Sequence, residues 1–144
     1  MIWFNGELPK REQFAELCER TLHGHLGMEM VEAGGDWLTV RMPVDRRTHQ
    51  PYGRLHGGAS VALAETVASF SGNRCVDPEK WVVVGLEINA NHLRPVREGW
   101  VHATARPEML GRTSQVWTVR IESEQGKLVC LSRMTGAVIP LERS

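Results

Sequence analysis

The chain has 144 residues, of which 42% are apolar and 24% charged, and its formal net charge is zero. That length suits one domain with one core, and the charge balance argues against a general nucleic-acid or membrane-surface role. No apolar run approaches the roughly 20 residues of a membrane span, MIWFNGELPKREQF has no signal-peptide pattern, and three scattered cysteines without CxxC (Cys18, Cys75 and Cys130) point to a reduced, cytoplasmic setting rather than a disulfide or zinc framework.

Residues 9–23 carry Phe14, Leu17, Cys18 and Leu22 at helical spacing behind Pro9, which predicts an amphipathic helix within an N-terminal helical segment, 1–25. Residues 26–32 and 36–44 form a hairpin around Gly34 and Gly35, with Leu38, Val40 and Met42 alternating with Thr39 and Arg41. Residues 57–73 are long enough for a helix and apolar all round, which marks a buried one. Its small residues, among them Gly58, Ala59, Ala62, Ala64 and Ala68, let a sheet approach closely. The rest is β-rich: 82–95, 100–110, 114–123 and 127–139 follow one another without a helix, which predicts an antiparallel meander. The expected fold class is α+β, a long central helix wrapped by a curved sheet of five or six strands. The whole of 1–144 is one domain. Such a sheet has open edges, and a second copy would cover one, so a homo-oligomer is expected.

One residue disturbs this pattern. From Gly57 to Ser71 every side chain is small, hydroxylic or apolar except Glu65. Its helical neighbours Val61, Ala62, Ala68 and Ser69 leave little room for a solvated face. A carboxylate at the edge of an apolar pocket is a stronger base than a solvated one. His56 and Gly57 stand where the same helix begins. Free backbone N–H groups and the helix dipole there favour developing negative charge, which is the chemistry of an oxyanion hole; the plainer alternative is a tight turn into a helix.

LHGGASVALAE, VGLEINANHLRP, LGRTSQVW and KLVCLSRMT, in this order of elements, resemble the hotdog-fold acyl-CoA thioesterases over roughly residues 26–139. Within them the likeness is to the phenylacetyl-CoA-type branch, nearest the 1,4-dihydroxy-2-naphthoyl-CoA thioesterases of menaquinone synthesis and the proofreading thioesterases of enterobactin synthesis. The resemblance implies hydrolysis of an acyl-CoA, with an aryl acyl group favoured, and a dimer of dimers. It implies no metal, and no cofactor beyond the CoA that belongs to the substrate. It gives Glu65 the role of nucleophile or general base and Gly57 that of oxyanion donor. His56 shapes the loop or polarises the carbonyl, and Gln50 positions the water or the carbonyl, from the same or the opposite subunit. Ser69, four residues after Glu65 on one face, bonds the carboxylate, lines the acyl pocket or simply packs.

The same resemblance runs the pantetheine arm of CoA along the strand at Gly85, where glycine allows close approach. It brings His92, Leu93, Arg94 and Pro95 to the CoA phosphates. The turn Met109, Leu110, Gly111, Arg112, Thr113 and Ser114 meets the nucleotide. Trp117, Val119 and Ile121 read as core. His23 and His25 read as loop histidines rather than a metal pair. Ser60 lies outside any GxSxG, and no GxxxxGK[ST] or GxGxxG is present. The rival readings are a carrier-protein thioesterase, a hotdog dehydratase and a non-catalytic acyl-CoA sensor. The spacing of HGG to Glu65 disfavours the dehydratase, and the absence of a basic DNA-binding segment disfavours the sensor.

Overall fold

A computed structural model describes residues 1–142. Helix α1 (Arg11–Cys18) begins where Lys10 N–H donates to Gln13 Oε1 at 2.8 Å, and it buries Phe14. The single helix expected over 9–23 is broken. Arg20 takes a φ of 60°, in the left-handed region, and the chain restarts as the one-turn α2 (Leu22–His25). Gly24 permits this fold-back, because a Cβ there would lie 2.2 Å from the Cys18 carbonyl oxygen. Arg11 Nε donates to Val31 O at 2.8 Å and ties α1 to the sheet.

Strands β1 (Glu29–Ala33) and β2 (Leu38–Pro43) form the expected hairpin, with Ala33 opposite Leu38. Helix α3 (Gly57–Arg74) fills the concave side of a six-stranded antiparallel sheet completed by β3 (Trp81–His92), β4 (Trp100–Leu110), β5 (Ser114–Ser123) and β6 (Leu128–Pro140). Leu63, Ala64, Val67 and Ala68 of α3 are closed off from water, as are the inward residues Val40, Met42, Ala103, Trp117, Val119 and Ile121 of the sheet. Strands β4 and β5 alternate buried and less buried positions along most of their length, the pattern of a sheet with one wet face.

The strand order is β1-β2-β4-β5-β6-β3, which corrects the expected four-strand meander. Only β4, β5 and β6 run in sequence. β4 pairs along its first half with β2, so β3 has no place beside it and instead pairs with β6 at the far edge. The connection 93–99 therefore crosses beneath the start of α3. It is fastened there by Leu55 N–H to Val96 O and Val44 N–H to Gly99 O, both at 2.8 Å. This crossing carries residues 93–95 to the N-terminus of α3.

The helix is not buried all round. Gly58 and Glu65 are exposed, and Ala62, Ser69 and Asn73 are half-buried, so steps of three and four residues trace one outward stripe. The reason is β3. It is an edge strand with only Val83 buried, and it leaves that side of α3 uncovered.

All three cysteines are free; Cys18 and Cys75 are half-buried and Cys130 is buried. Burial raises each thiol's pKa, that of Cys75 to about 12, and the nearby Glu29 charge adds to the effect at Cys18. Among the described residues, no helix is long and apolar enough to cross a membrane. Truncating the fully buried Leu63 to alanine should destabilise the protein by about 3 kcal/mol through lost transfer energy and a residual cavity. Denaturant titration of the two proteins checks this as a lower midpoint.

Candidate functional site

Glu65 sits midway along α3 and lines a cavity of about 620 Å³ together with Ser69, Phe70, Leu17, His23 and Val82. Contrary to the buried setting expected from its neighbours, the carboxylate is exposed, because it lies on the uncovered stripe. Gly85 of β3 faces it. A Cβ at Gly85 would stand 3.3 Å from Glu65 Oε1, so this glycine makes room for the acid itself. Ser69 shares the cavity, but its hydroxyl donates to Met134 Sδ at 3.4 Å rather than to the carboxylate.

A second cavity, of about 390 Å³, lies at the start of α3 and is lined by Gln50, Gly57, His92, Leu93, Arg94 and Pro95. His56 is the N-cap of α3, and its Nδ1 accepts Gly58 N–H at 2.7 Å. Gly57 N–H precedes the first turn, where no intrahelical carbonyl reaches it. The His92 ring lies over Gly57, with Nε2 3.0 Å from where a Cβ would be. Gln50 is held by its own loop. Its side-chain carbonyl accepts the backbone N–H of Tyr52 and, at 3.4 Å, that of Arg54, so the side-chain amide NH2 is the end that can donate outward. Arg94 Nη1 donates to Leu128 O at 2.7 Å, which anchors this exposed guanidinium at the end of the sheet.

The predicted residues therefore fall into separate groups. Gly57 and Glu65 are eight residues apart on one helix, about 12 Å along its axis at 1.5 Å per residue. That is too far for both to touch one carbonyl group. The turn from Met109 to Ser114 lies farther off still. Ser114 is opposite Ala137, which is opposite Val84, whereas His92 is opposite Cys130 at the other end of the sheet. From Gly85 to His92 is seven residues, about 23 Å of strand. In one chain, the residues expected to meet CoA at 92–95 and at 109–114 do not converge. Met109 to Thr113 are all exposed, and Gly111 N–H closes the turn on Ser114 O at 2.8 Å. Among the described residues, no group of three His, Cys, Asp or Glu gathers to hold a metal ion.

Sequence reasoning missed His23. It was read as a loop histidine, yet it stands in α2 and forms part of the wall of the Glu65 cavity. Its ring stacks on Phe14 at 5.9 Å and 5°, and Phe14 in turn meets Phe70 edge-on at 5.2 Å. The spacing of Phe14 and His23 alone could not reveal this stack, because it depends on the break at Arg20.

Residues 52–130 match the family model described as the thioesterase superfamily. Among curated relatives, the 1,4-dihydroxy-2-naphthoyl-CoA hydrolase of Escherichia coli is 49% identical over 89% of this chain and 93% of its own length. The proofreading thioesterase EntH of Cronobacter turicensis is 50% identical over 96% of this chain and 99% of its own. Among solved structures, the thioesterase HI1161 of Haemophilus influenzae superposes with a TM-score of 0.93 at 50% identity, covering 99% of this chain and 98% of that one.

His23 also makes stability depend on pH. Burial lowers the pKa of its imidazole below the ordinary 6.5, because desolvation disfavours the charged ring. The unfolded chain thus binds the proton more readily than the folded one. Between the lowered value and 6.5, stability rises with pH and is lost as pH falls. His23→Phe should flatten that part of the acid limb, as read from melting temperature against pH for both proteins.

Proposed function

This chain belongs to the thioesterase superfamily, and on that basis we propose that it hydrolyses the thioester of an aromatic acyl group with CoA at a site shared by two copies of the chain. It is a thioester hydrolase. The observation that carries the shared site is the separation of Gly57 and Glu65 on one rigid helix, each opening into its own cavity. An acid from one chain and an N–H from the other can meet one thioester without bending the helix. The free edge of β3 offers the means. It is twelve residues long and borders the uncovered stripe of α3, and Val84 and Leu86 on it are exposed. Pairing there brings two α3 stripes together, and pairing of such dimers would give a tetramer.

In the reaction, the thioester oxygen accepts Gly57 N–H of one chain, at the positive end of the α3 dipole. Gln50 presents its amide NH2 to the same oxygen or to water. Glu65 of the other chain either removes a proton from the attacking water or attacks the carbonyl carbon directly, forming an anhydride that water then opens. In both routes the C–S bond breaks, CoA leaves as the thiolate and is protonated, and the acid remains. His56 acts indirectly, by capping the helix that carries Gly57. Ser69 lines the acyl side, and Arg94 and Arg112 supply cations for the phosphates of the thiol arm. CoA enters as part of the substrate, and no further cofactor is needed.

A second reading is supported by the likeness to EntH over nearly the full length of both chains: the thiol arm belongs to a carrier protein rather than to CoA. Thiol release from the same aryl group on CoA and on a carrier protein distinguishes the two.

Glu65→Gln should lower kcat for thiol release by roughly a thousandfold, within the range of a lost general base; full activity in this variant would remove Glu65 from the chemistry. Mixing tests the shared site. Glu65→Gln and Gly57→Val chains, each inactive alone, should regain about a quarter of wild-type activity when unfolded and reassembled together, since half the dimers are mixed and each mixed dimer holds one intact site. If both residues act within one chain, the mixture stays inactive.

A further inference from the structure

We propose that the N-terminal helices are the selectivity wall of the acyl pocket, with Leu17 limiting the size of the acyl group and the stacked His23 ring giving that wall a flat face. The inference rests on the thioesterase reading above and adds the residues that choose the substrate. It starts from the shape of the Glu65 cavity. One wall is α3, with Thr66, Ser69 and Phe70, and the opposite wall is α1 and α2, with Leu17 and His23. The acyl chain and the thiol arm leave the reacting carbonyl in different directions. The cavity at Gly57 has Arg54 and Arg94 in its lining and suits a phosphorylated arm. The Glu65 cavity has Leu17, Phe70 and Val82, which suit an apolar acyl group.

Leu17 is half-exposed, at 50%. It is the apolar residue that α1 contributes to the cavity lining, so its side chain sets how far the cavity extends toward α1. His23 gives the wall a flat face. Its Nδ1 is closed off from solvent, so no group in the cavity reaches that nitrogen, and the cavity meets the rest of the ring. Its stack on Phe14, and that of Phe14 on Phe70, fixes its plane. An aromatic ring fits such a wall. The residues matched by the family model begin at 52, after the N-terminal helices that form this wall. Selectivity can vary there without touching the catalytic helix.

The test uses the full chain and measures kcat/KM for thiol release from acetyl-, benzoyl-, 2-hydroxybenzoyl- and naphthoyl-CoA. Leu17→Trp should lower the naphthoyl-to-acetyl ratio by about tenfold, and Leu17→Ala should move it the other way. His23→Phe, which keeps the ring and its stack, should leave the naphthoyl-to-acetyl ratio within about twofold of wild type. A merely structural wall would change all four substrates alike and leave the ratios fixed. Ratios unchanged within about twofold in both Leu17 variants would overturn the inference and leave the thioesterase reading standing. A wild-type protein that releases no thiol from any of the four would overturn both. Circular dichroism follows folding, and if His23→Phe fails to fold, the Leu17 pair decides.

Discussion

Leu63, Ala64, Val67 and Ala68 of α3 press against Trp117, Val119, Ile121 and the other inward residues of the sheet, with no water between them. This contact fixes the axis of the helix, and the axis fixes everything that acts. Gly57 and Glu65 are points on a rod of constant rise. Neither can approach the other without breaking hydrogen bonds along the helix or opening the core. A reaction that needs both has to be built around their separation. The small residues on α3 let the sheet come close enough to hold the rod without play.

The same packing explains why the acid is open to solvent. A sheet that wraps a helix must end somewhere, and here it ends at β3, whose outer side has no strand beside it. The stripe holding Glu65 faces that gap. Two glycines then make the geometry tight: Gly85 receives the Glu65 carboxylate, and Gly57 receives the His92 ring. Each removes a Cβ that would push a site side chain aside. The crossing at 93–99 completes the lining of the second cavity, because it is the topological cost of placing β4 next to β2. The placement of both cavities and the order of the sheet are thus one problem.

Much of this was legible in the sequence. Alternation marked β2, since it has one buried face, and Gly34 and Gly35 marked the turn of its hairpin with β1. The run of small residues marked α3 and singled out Glu65. What stayed hidden depends on which element lies next to which. Periodicity says that β3 is a strand but not that β6 is its partner, so the meander was drawn one strand too long. The outward stripe of α3 was invisible for the same reason, as an edge is a property of the whole sheet. Cys18 and Leu22 keep helical spacing across a break that only the left-handed Arg20 and the fit of Gly24 against Cys18 reveal. The split of the site into two cavities could have been found earlier: eight residues of helix is a length that sequence alone provides.

The three cysteines have a consequence for an enzyme whose product is a thiol. Exchange between a thiol and a disulfide begins with a thiolate. Burial holds Cys18, Cys75 and Cys130 in the protonated form at neutral pH. They are therefore poor partners for the disulfide that forms when released thiol is oxidised in solution. The same burial slows their reaction with reagents that titrate thiolate, which favours the product over the protein when thiol is counted during turnover.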